Sequence, residues 1–409
     1  MNSQTNFRLT TDKLRAAAIF LATLGASVSG YALLASLAKK MPIEEFGAIR
    51  LLLETTTTLY PIIALGLQYS TIQNCLSARS HERRQLKFAS ALLLTALSLA
   101  TWALAFCATT QTPPQLIGAY ALVGQYLYVL TTTSLKELTN ALLPIERATT
   151  IQCIHIAAPP TLLLAYVLAT PLPITIREFT IAVLAINIPI SCAALILTGI
   201  STSSPSKTVK ELLTSNRAFG WPIYTAGYAS MAGAATYQFL AGTKLSLAQY
   251  ANLSVATVVA STVGLIATTV TMVKINELAA ANTIPPNILK LTITIMTSVA
   301  MLICFAAWLL GERIAGPQYT EAVTLLPLLM AAAVFDGISY IYNRFFLAKK
   351  LAKNLAITSK ANGLINLTLS ISLIPAFGLQ GAVAARLLTS ACTTLANHAG
   401  YRSYTKTPA

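Results

Sequence analysis

Apolar runs of about twenty residues, several with a charge near the middle, occupy most of this 409-residue chain. Such runs are long enough to cross a bilayer as helices, so the sequence predicts an all-α polytopic membrane protein. A charge facing hydrocarbon costs about 2.5–3.5 kcal/mol even on the most lenient insertion scale. We therefore expect the mid-span charges to face a bundle interior or a hydrated cavity. These charges are Arg50, Lys136, Asp336, Lys360 and Arg386.

Composition excludes an ordinary soluble enzyme. Only 10% of the residues are charged, against about 25% in a typical globular protein. No phosphate-binding loop with a Gly-Lys-Ser/Thr signature occurs in the sequence. The six cysteines have no paired spacing and are predicted to be small apolar residues rather than metal ligands. We expect no cofactor and no metal site, and a net charge of +15 that reflects basic cytoplasmic loops rather than nucleic-acid binding.

The hydropathy pattern predicts about twelve spans. Their approximate bounds are residues 16–38, 48–71, 88–107, 115–137, 150–170, 179–200, 219–241, 249–272, 288–310, 322–346, 355–374 and 379–400. Alternate loops differ sharply in basic residues, with 18 on one side and 5 on the other. The positive-inside rule then predicts that both termini of this multi-pass protein are cytoplasmic.

A weak internal repeat suggests two six-helix halves, residues 1–206 and 207–409. The segment Tyr31–Gly47 resembles Tyr237–Ala251, and each segment joins the first two spans of its half. Both contain an aromatic residue near the end of a span, then Leu-Ala, a basic turn and an aromatic residue that opens the next span. This placement is typical of parallel repeats related by an axis along the membrane normal.

Polar side chains spaced three or four residues apart form stripes along several spans. In span 2, Arg50 and Glu54 are four residues apart and can pair, and Lys136 and Tyr128 lie on a stripe in span 4. Asp336 and Tyr340 lie in span 10, while spans 11 and 12 carry Lys360 and Arg386. Because the deep charges are mostly positive, a chamber lined by them would suit an anionic substrate. Structural ion pairing is the main alternative, with Lys360 or Arg386 as the partner of Asp336.

Some of these residues invite more specific hypotheses. Tyr128 and Tyr340 present flat apolar faces with hydroxyl edges, which suit sugar rings as well as interfacial anchoring. Asp336 is the only Asp within a span, and it and Glu54 are candidates for coupling transport to protons. His155 is predicted to be an interhelical hydrogen-bonding residue rather than a second proton site. We expect no catalytic residue.

Two hairpins carry a resemblance to a known family. Lys39-Lys40-Met41-Pro42-Ile43-Glu44-Glu45-Phe46-Gly47 is similar to the turn between spans 1 and 2 of Wzx-type O-antigen flippases. The segment from Ile374 to Ala384, IPAFGLQGAVA, resembles their Pro-x-aromatic-Gly-x-x-Gly-Ala hairpin between spans 11 and 12. Those flippases belong to the multidrug/oligosaccharidyl-lipid/polysaccharide export superfamily, whose twelve-span plan without a soluble domain also matches.

The resemblance implies a MATE-like fold and a flippase that moves undecaprenyl-diphosphate-linked oligosaccharide across the bacterial inner membrane. On this hypothesis Arg50, Lys136, Lys360 and Arg386 meet the phosphates or acidic sugars. The implied partners are the lipid-linked substrate, membrane lipid, an O-antigen polymerase and a chain-length regulator. A multidrug or metabolite antiporter of the same superfamily is the first alternative. The second is an integral-membrane polymerase or acyltransferase, and a membrane scaffold is the third.

Overall fold

The chain is helical along almost its whole described length. The computed structural model describes residues 2–110, 129–143, 145–146, 148–171, 173–201, 205–349 and 351–406. In chain order the α-helices, α1 to α14, are Asn2–Lys40, Ile43–Ile63, Leu67–Ser77, Ser80–Thr110, Val129–Leu142, Thr149–Ala169, Ile176–Leu197, Pro205–Ser215, Trp221–Lys244, Leu247–Val273, Ile275–Ala280, Pro286–Ala315, Thr320–Ala348 and Ala352–Lys406. The predicted all-α class is confirmed.

The apolar helices make this a multi-pass membrane protein. Within the described residues, seven helices are long and apolar enough to cross a membrane, or eight if the bent pair α2 and α3 forms one span. One of these segments lies within α14 and includes two predicted spans. Residues 115–128 of predicted span 4 lie outside the described residues, as does Tyr128. The cytoplasmic location of the termini stays a prediction.

Two compact units make up the chain. Among the described residues, the first comprises those within 2–42, 59–110 and 129–224, and the second comprises those within 43–58 and 225–406. The first part of α2 therefore packs with the second unit, although it lies early in the sequence. The predicted division at residue 206 concerns an internal repeat rather than packing, and it stays a prediction.

The predicted single span 48–71 is broken after Ile63. Its end bends by 66° into α3, because Leu65 and Gly66 adopt positive φ angles of 48° and 80°. Asn216 provides a hydrogen bond to the backbone at this break, since its Nδ2 donates to the carbonyl of Leu65 at 3.0 Å. Asn216 opens a π-helical turn, Asn216–Gly220, whose last residue touches Gly66 so closely that neither glycine has room for a Cβ.

The connection between the predicted spans 179–200 and 219–241 contains the helix α8. Leu212 of α8 is fully buried, whereas Lys207, Lys210 and Glu211 are exposed. The helix is thus amphipathic, and it packs on α3 and α4. The charged side chains of α8 are exposed, as expected if the basic residues of the chain lie in the connections between spans.

In the second unit, α13 packs against α10, α12 and α14. The helix α14 is a hairpin broken at Gly378, which has a φ of 52° that favours glycine. Its two arms run antiparallel, because Asn362 accepts from Thr393 at 2.8 Å and Asn354 donates to the carbonyl of Gly400 at 3.3 Å. The hairpin predicted between spans 11 and 12 is confirmed.

A close glycine contact holds α9 against the first arm of α14. A Cβ on Gly363 would lie 2.1 Å from the backbone of Ala229, and one on Gly233 would lie 2.6 Å from the carbonyl oxygen of Gly363. Asn362 adds a 3.4 Å hydrogen bond to Ser230 beside this contact. Only residues without side chains let the two backbones come so close.

We expect Gly363→Ala to destabilise the protein strongly, because the methyl group would collide with backbone that cannot move aside. A shift of the helices forced by such a clash typically costs about 1–3 kcal/mol or more. Thermal unfolding of purified protein in detergent measures the effect. Gly30→Ala in α1 is the matched control, since nothing lies within 4 Å of its Cβ position. An unfolding temperature for Gly363→Ala equal to that of Gly30→Ala would contradict the prediction.

Candidate functional site

A polar stripe along α10 organises the charged residues of the second unit. Tyr250, Ser254, Thr257 and Ser261 are spaced three or four residues apart, so they share one face of that helix. The capping box of Ser246 and Gln249 fixes the start of α10 just before this stripe. Two ion pairs meet the stripe, one at its beginning and one further along.

The first ion pair is that of Arg50 and Glu54, both on α2. Their Nη2 and Oε1 atoms are 2.5 Å apart, and their side chains are 13% and 29% exposed. Ser254 bridges them, since it accepts from Nε of Arg50 at 2.6 Å and donates to Glu54 at 2.7 Å. Tyr250 donates to the other carboxylate oxygen at 2.6 Å, and Gln238 donates to the same oxygen at 3.3 Å.

This network saturates Glu54 but not Arg50. The carboxylate receives bonds from residues of α2, α9 and α10, and Gln238 also bonds Tyr250. Arg50 uses Nε and Nη2, so within the described part of the chain its Nη1 group has no protein acceptor. A guanidinium held on one edge presents its other edge in a fixed orientation, which suits bidentate binding of an anion.

The second ion pair joins Asp336 of α13 to Arg386 of α14, with Oδ2 and Nη2 2.7 Å apart. The side chains of Arg386 and Asp336 are 45% and 40% exposed and line a cavity of about 180 Å³. Thr257 and Ser261 of the α10 stripe line the same cavity. Of the two partners that the sequence leaves open for Asp336, the structure selects Arg386.

The remaining predicted site residues have different surroundings. Tyr340 lies under the guanidinium of Arg344, whose Cζ is 4.6 Å from the ring centre. Lys360 lies on the exposed face of α14 with Ile357 and Leu364, about two turns from the start of that helix. From there its ammonium group can reach the membrane surface by snorkelling.

Lys136 belongs to the first unit, on α5. It is partly buried and, within the described residues, makes no hydrogen bond or ion pair. One turn further on, Asn140 bonds Nδ1 of His155 at 3.0 Å, and Ser191 bonds the Nε2 of the same ring at 3.2 Å. His155 is 1% exposed and joins α5, α6 and α7, so its predicted role as an interhelical hydrogen-bonding residue is confirmed.

Sequence reasoning missed Gln238, Tyr250 and Ser254. A usable signal was present, since Tyr250, Ser254, Thr257 and Ser261 have the same spacing as the stripe of span 2. Their uncharged side chains made span 8 look like ordinary apolar helix. The importance of these residues depends on Glu54, which lies about 200 positions earlier in the chain.

The fold resembles those of solved membrane transporters. The lipid II flippase MurJ in an inward-closed conformation matches with a TM-score of 0.68 and 13% identity, covering 96% of this chain and 90% of that one. An inward-facing multidrug resistance MATE family transporter of the MOP superfamily matches with a TM-score of 0.62 and 12% identity, covering 94% and 96%. Its outward-facing counterpart matches at 0.52 and 13%, covering 94% and 95%.

No protein-family model matches the sequence. No curated protein is similar to it either. The chain is thus a multi-pass membrane protein whose fold is similar to those of MurJ and of MATE transporters, and the MATE-like fold implied by the sequence resemblance is confirmed.

Proposed function

We propose that this protein is a flippase of the MOP superfamily, one that moves a polyprenyl-diphosphate-linked oligosaccharide across the bacterial inner membrane by alternating access. The proposal takes its cargo class from the resemblance of the two hairpins, and it is supported by a fold shared with a lipid II flippase. The fold is likewise shared with transporters rather than with polymerases or acyltransferases. We infer that both termini are cytoplasmic and that the oligosaccharide is an O-antigen repeat unit.

One observation carries the proposal: Arg50 and Arg386 lie in mid-span, each is held by a carboxylate, and each keeps N–H groups that make no hydrogen bond within the described part of the chain. Guanidinium groups bind phosphate oxygens bidentately, with charge-assisted hydrogen bonds about twice as strong as neutral ones. A diphosphate could therefore bind the free edge of each guanidinium or take the place of its carboxylate. Both arginines belong to the second unit and meet the same stripe of α10.

Exchange of the anion that pairs with Arg386 gives the proposed transport cycle a physical basis. Without substrate, Asp336 compensates the charge of Arg386 in the 180 Å³ cavity. When a phosphate group takes Arg386, Asp336 loses its counter-ion, and we infer that this exchange is the step at which translocation would be coupled to protons. Glu54 is held by three further hydrogen-bond donors and is better suited to positioning Arg50 than to exchange. Lys136, Lys360, Tyr128 and Tyr340 remain candidates for contacts with phosphate or sugar.

A multidrug or metabolite antiporter is the second candidate function. The deep acidic groups favour it, because Glu54 and Asp336 balance the two arginines and could attract a cationic compound. Lys136, which is partly buried, shifts the balance of mid-span charge back towards anions. The two functions differ in the charge of the cargo, since the arginines attract the anionic head of a lipid-linked oligosaccharide and repel a cationic compound.

Everted membrane vesicles from the host bacterium test the proposal. A deletion strain should accumulate lipid-linked repeat units on the cytoplasmic leaflet, where a membrane-impermeant sugar oxidant reaches them. The wild-type protein should restore their protection, and Asp336→Asn should flatten the dependence of protection on pH. Equal oxidation in deletion and wild-type vesicles, together with protein-dependent export of a cationic dye, would favour the antiporter. Full transport by Asp336→Asn with an unchanged pH dependence would refute only the coupling.

A further inference from the structure

Tyr237 of α9 is a polar residue near both ion pairs of the second unit, to which it also belongs. Its side chain is half-buried, so part of it can be reached from outside the protein. Within the described part of the chain, its hydroxyl makes no hydrogen bond. A tyrosine hydroxyl that is free and accessible can bind a ligand, because it both donates and accepts hydrogen bonds.

The position of Tyr237 on α9 lies between two packed faces of that helix. At about 3.6 residues per turn, Tyr237 is about 40° around the helix from Gly233 and about 100°, in the other direction, from Gln238. Gly233 lies against α14, since a Cβ on it would be 3.2 Å from the Cβ of Asn366. Gln238 faces the other way and donates to Glu54 at 3.3 Å. The side chain of Tyr237 therefore points into the space between α14 and Glu54.

The direction of α9 gives the level of Tyr237 along α14. A Cβ on Gly363 would lie 2.1 Å from the backbone of Ala229, whereas Gly233, one turn later, lies against Asn366. The helix α9 and the first arm of α14 thus run in the same direction. Tyr237 is one further turn along α9, so it lies beside the turn of α14 that follows Asn366.

Arg386 faces that same turn from the second arm of α14. Thr393 donates to Asn362 at 2.8 Å, and this bond fixes the register of the two antiparallel arms. Counting back from Thr393 along one arm and forward from Asn362 along the other places Arg386 near Leu369. Tyr237 and Arg386 therefore lie at the same level of the second unit.

The electrostatic surroundings of Tyr237 agree with this placement. The charges of Arg386 and Glu54 both act on its hydroxyl. Glu54 does not capture that hydroxyl, because each of its carboxylate oxygens already accepts two hydrogen bonds. The hydroxyl thus stays available between a guanidinium and a saturated carboxylate.

We propose that Tyr237 donates a hydrogen bond to the diphosphate of the cargo and, together with Arg386, makes the site prefer a diphosphate to a monophosphate. The inference rests on the proposed function and concerns the same site. Arg386 binds one phosphate group bidentately, and the hydroxyl of Tyr237 donates to an oxygen of the other. A neutral donor suits this position, because a further cation would be repelled by Arg50 and Arg386 in the absence of cargo.

Binding of two soluble isoprenyl ligands to the detergent-purified protein tests the inference. Farnesyl diphosphate and farnesyl monophosphate differ by one phosphate group, and native mass spectrometry gives their dissociation constants. We expect the wild-type protein to bind the diphosphate at least about tenfold more tightly than the monophosphate. Tyr237→Phe, which removes only the hydroxyl, should weaken binding of the diphosphate about tenfold and change that of the monophosphate less than about twofold.

A double variant tests whether Tyr237 and Arg386 hold the same ligand. Arg386→Gln should weaken binding of both ligands, because it removes the guanidinium. Adding Tyr237→Phe to Arg386→Gln should weaken binding of the diphosphate by less than about twofold more, since residues that contact one ligand together are not additive. A full tenfold further loss in the double variant would mean that the two residues act independently, and it would overturn the proposal.

Tyr166→Phe is the matched control, since Tyr166 is also half-buried but lies on α6 in the first unit. It should bind both ligands as the wild-type protein does. An unchanged preference for the diphosphate in Tyr237→Phe would overturn this inference and leave the proposed function standing. An equal loss of both ligands in Tyr237→Phe would overturn it too, because the hydroxyl would then not distinguish them.

A wild-type protein that binds neither ligand would contradict the proposed function as well as this inference. The two failures are therefore distinguishable in one experiment. Circular dichroism at the temperature of the measurement verifies that each variant is folded.

Discussion

Replacing Arg386 by glutamine is expected to lower transport of the lipid-linked oligosaccharide about 10- to 100-fold. The variant loses hydrogen bonds from a charged donor, which contribute about 1.5–3 kcal/mol each, and it leaves Asp336 without the partner 2.7 Å away. The measurement is the rate at which lipid-linked repeat units in everted vesicles become protected from the sugar oxidant, normalised to the amount of protein in the membrane. Arg386→Lys should keep part of the activity, because it retains the charge but loses the planar, bidentate geometry.

Two further variants separate function from folding. Lys353→Gln removes an exposed charge near the start of the same hairpin, and it should transport normally. The double variant Arg386→Gln/Asp336→Asn removes both members of the ion pair and so avoids an uncompensated carboxylate. We expect it to regain the stability lost by the single variant and to remain inactive. Wild-type transport by this neutral pair would show that no phosphate binds at Arg386.

Replacing Glu54 by alanine is expected to produce the largest loss of stability, about 3–5 kcal/mol, since it strands a partly buried guanidinium. Tyr250 and Ser254 would also lose the acceptor that they share. Thermal or denaturant unfolding in detergent reports the change. Glu211→Gln on the surface of α8 is the control, and a substitution at such an exposed site should shift stability by no more than about 0.5 kcal/mol.

The double variant Arg50→Met/Glu54→Met provides the second half of this test. Replacing a buried ion pair by apolar side chains of similar volume is often neutral or stabilising. The double variant should therefore be more stable than Glu54→Ala, yet it should not transport, because it lacks Arg50. If Glu54→Ala were as stable as the wild type, the network of α2, α9 and α10 would have no structural role.

The sequence predicted the helical fold well because its strongest signals are local. Apolar length defined the spans, and the resemblance of residues 374–384 to the flippase hairpin placed the turn of α14, where Gly378 has a positive φ. The bend at Leu65 and Gly66 was missed, because it is stabilised by Asn216 about 150 residues away. Hydropathy averages over such a break, since the residues on both sides of it are apolar.

The candidate site was only partly predictable for the same reason. The pairing of Arg50 with Glu54 follows from their spacing on one helix, and the structure has it. The pairing of Asp336 with Arg386 joins two helices, and sequence alone could not choose between Arg386 and Lys360. The exposure of Lys360 depends on which face of α14 is packed, a property that its own polar neighbours did not reveal.

The grouping of residues 43–58 with the second unit has a consequence for synthesis of the protein. Ser254, which bridges the pair, is translated 200 residues after Glu54. At about 5–20 residues per second, the ribosome needs about 10–40 s to produce that separation. During this interval α2 carries its own counter-ion, four residues along the same helix, so its insertion does not have to await the later partners. Nascent protein halted before α10 should therefore already contain α2 in the bilayer, with Arg50 and Glu54 bonded to each other.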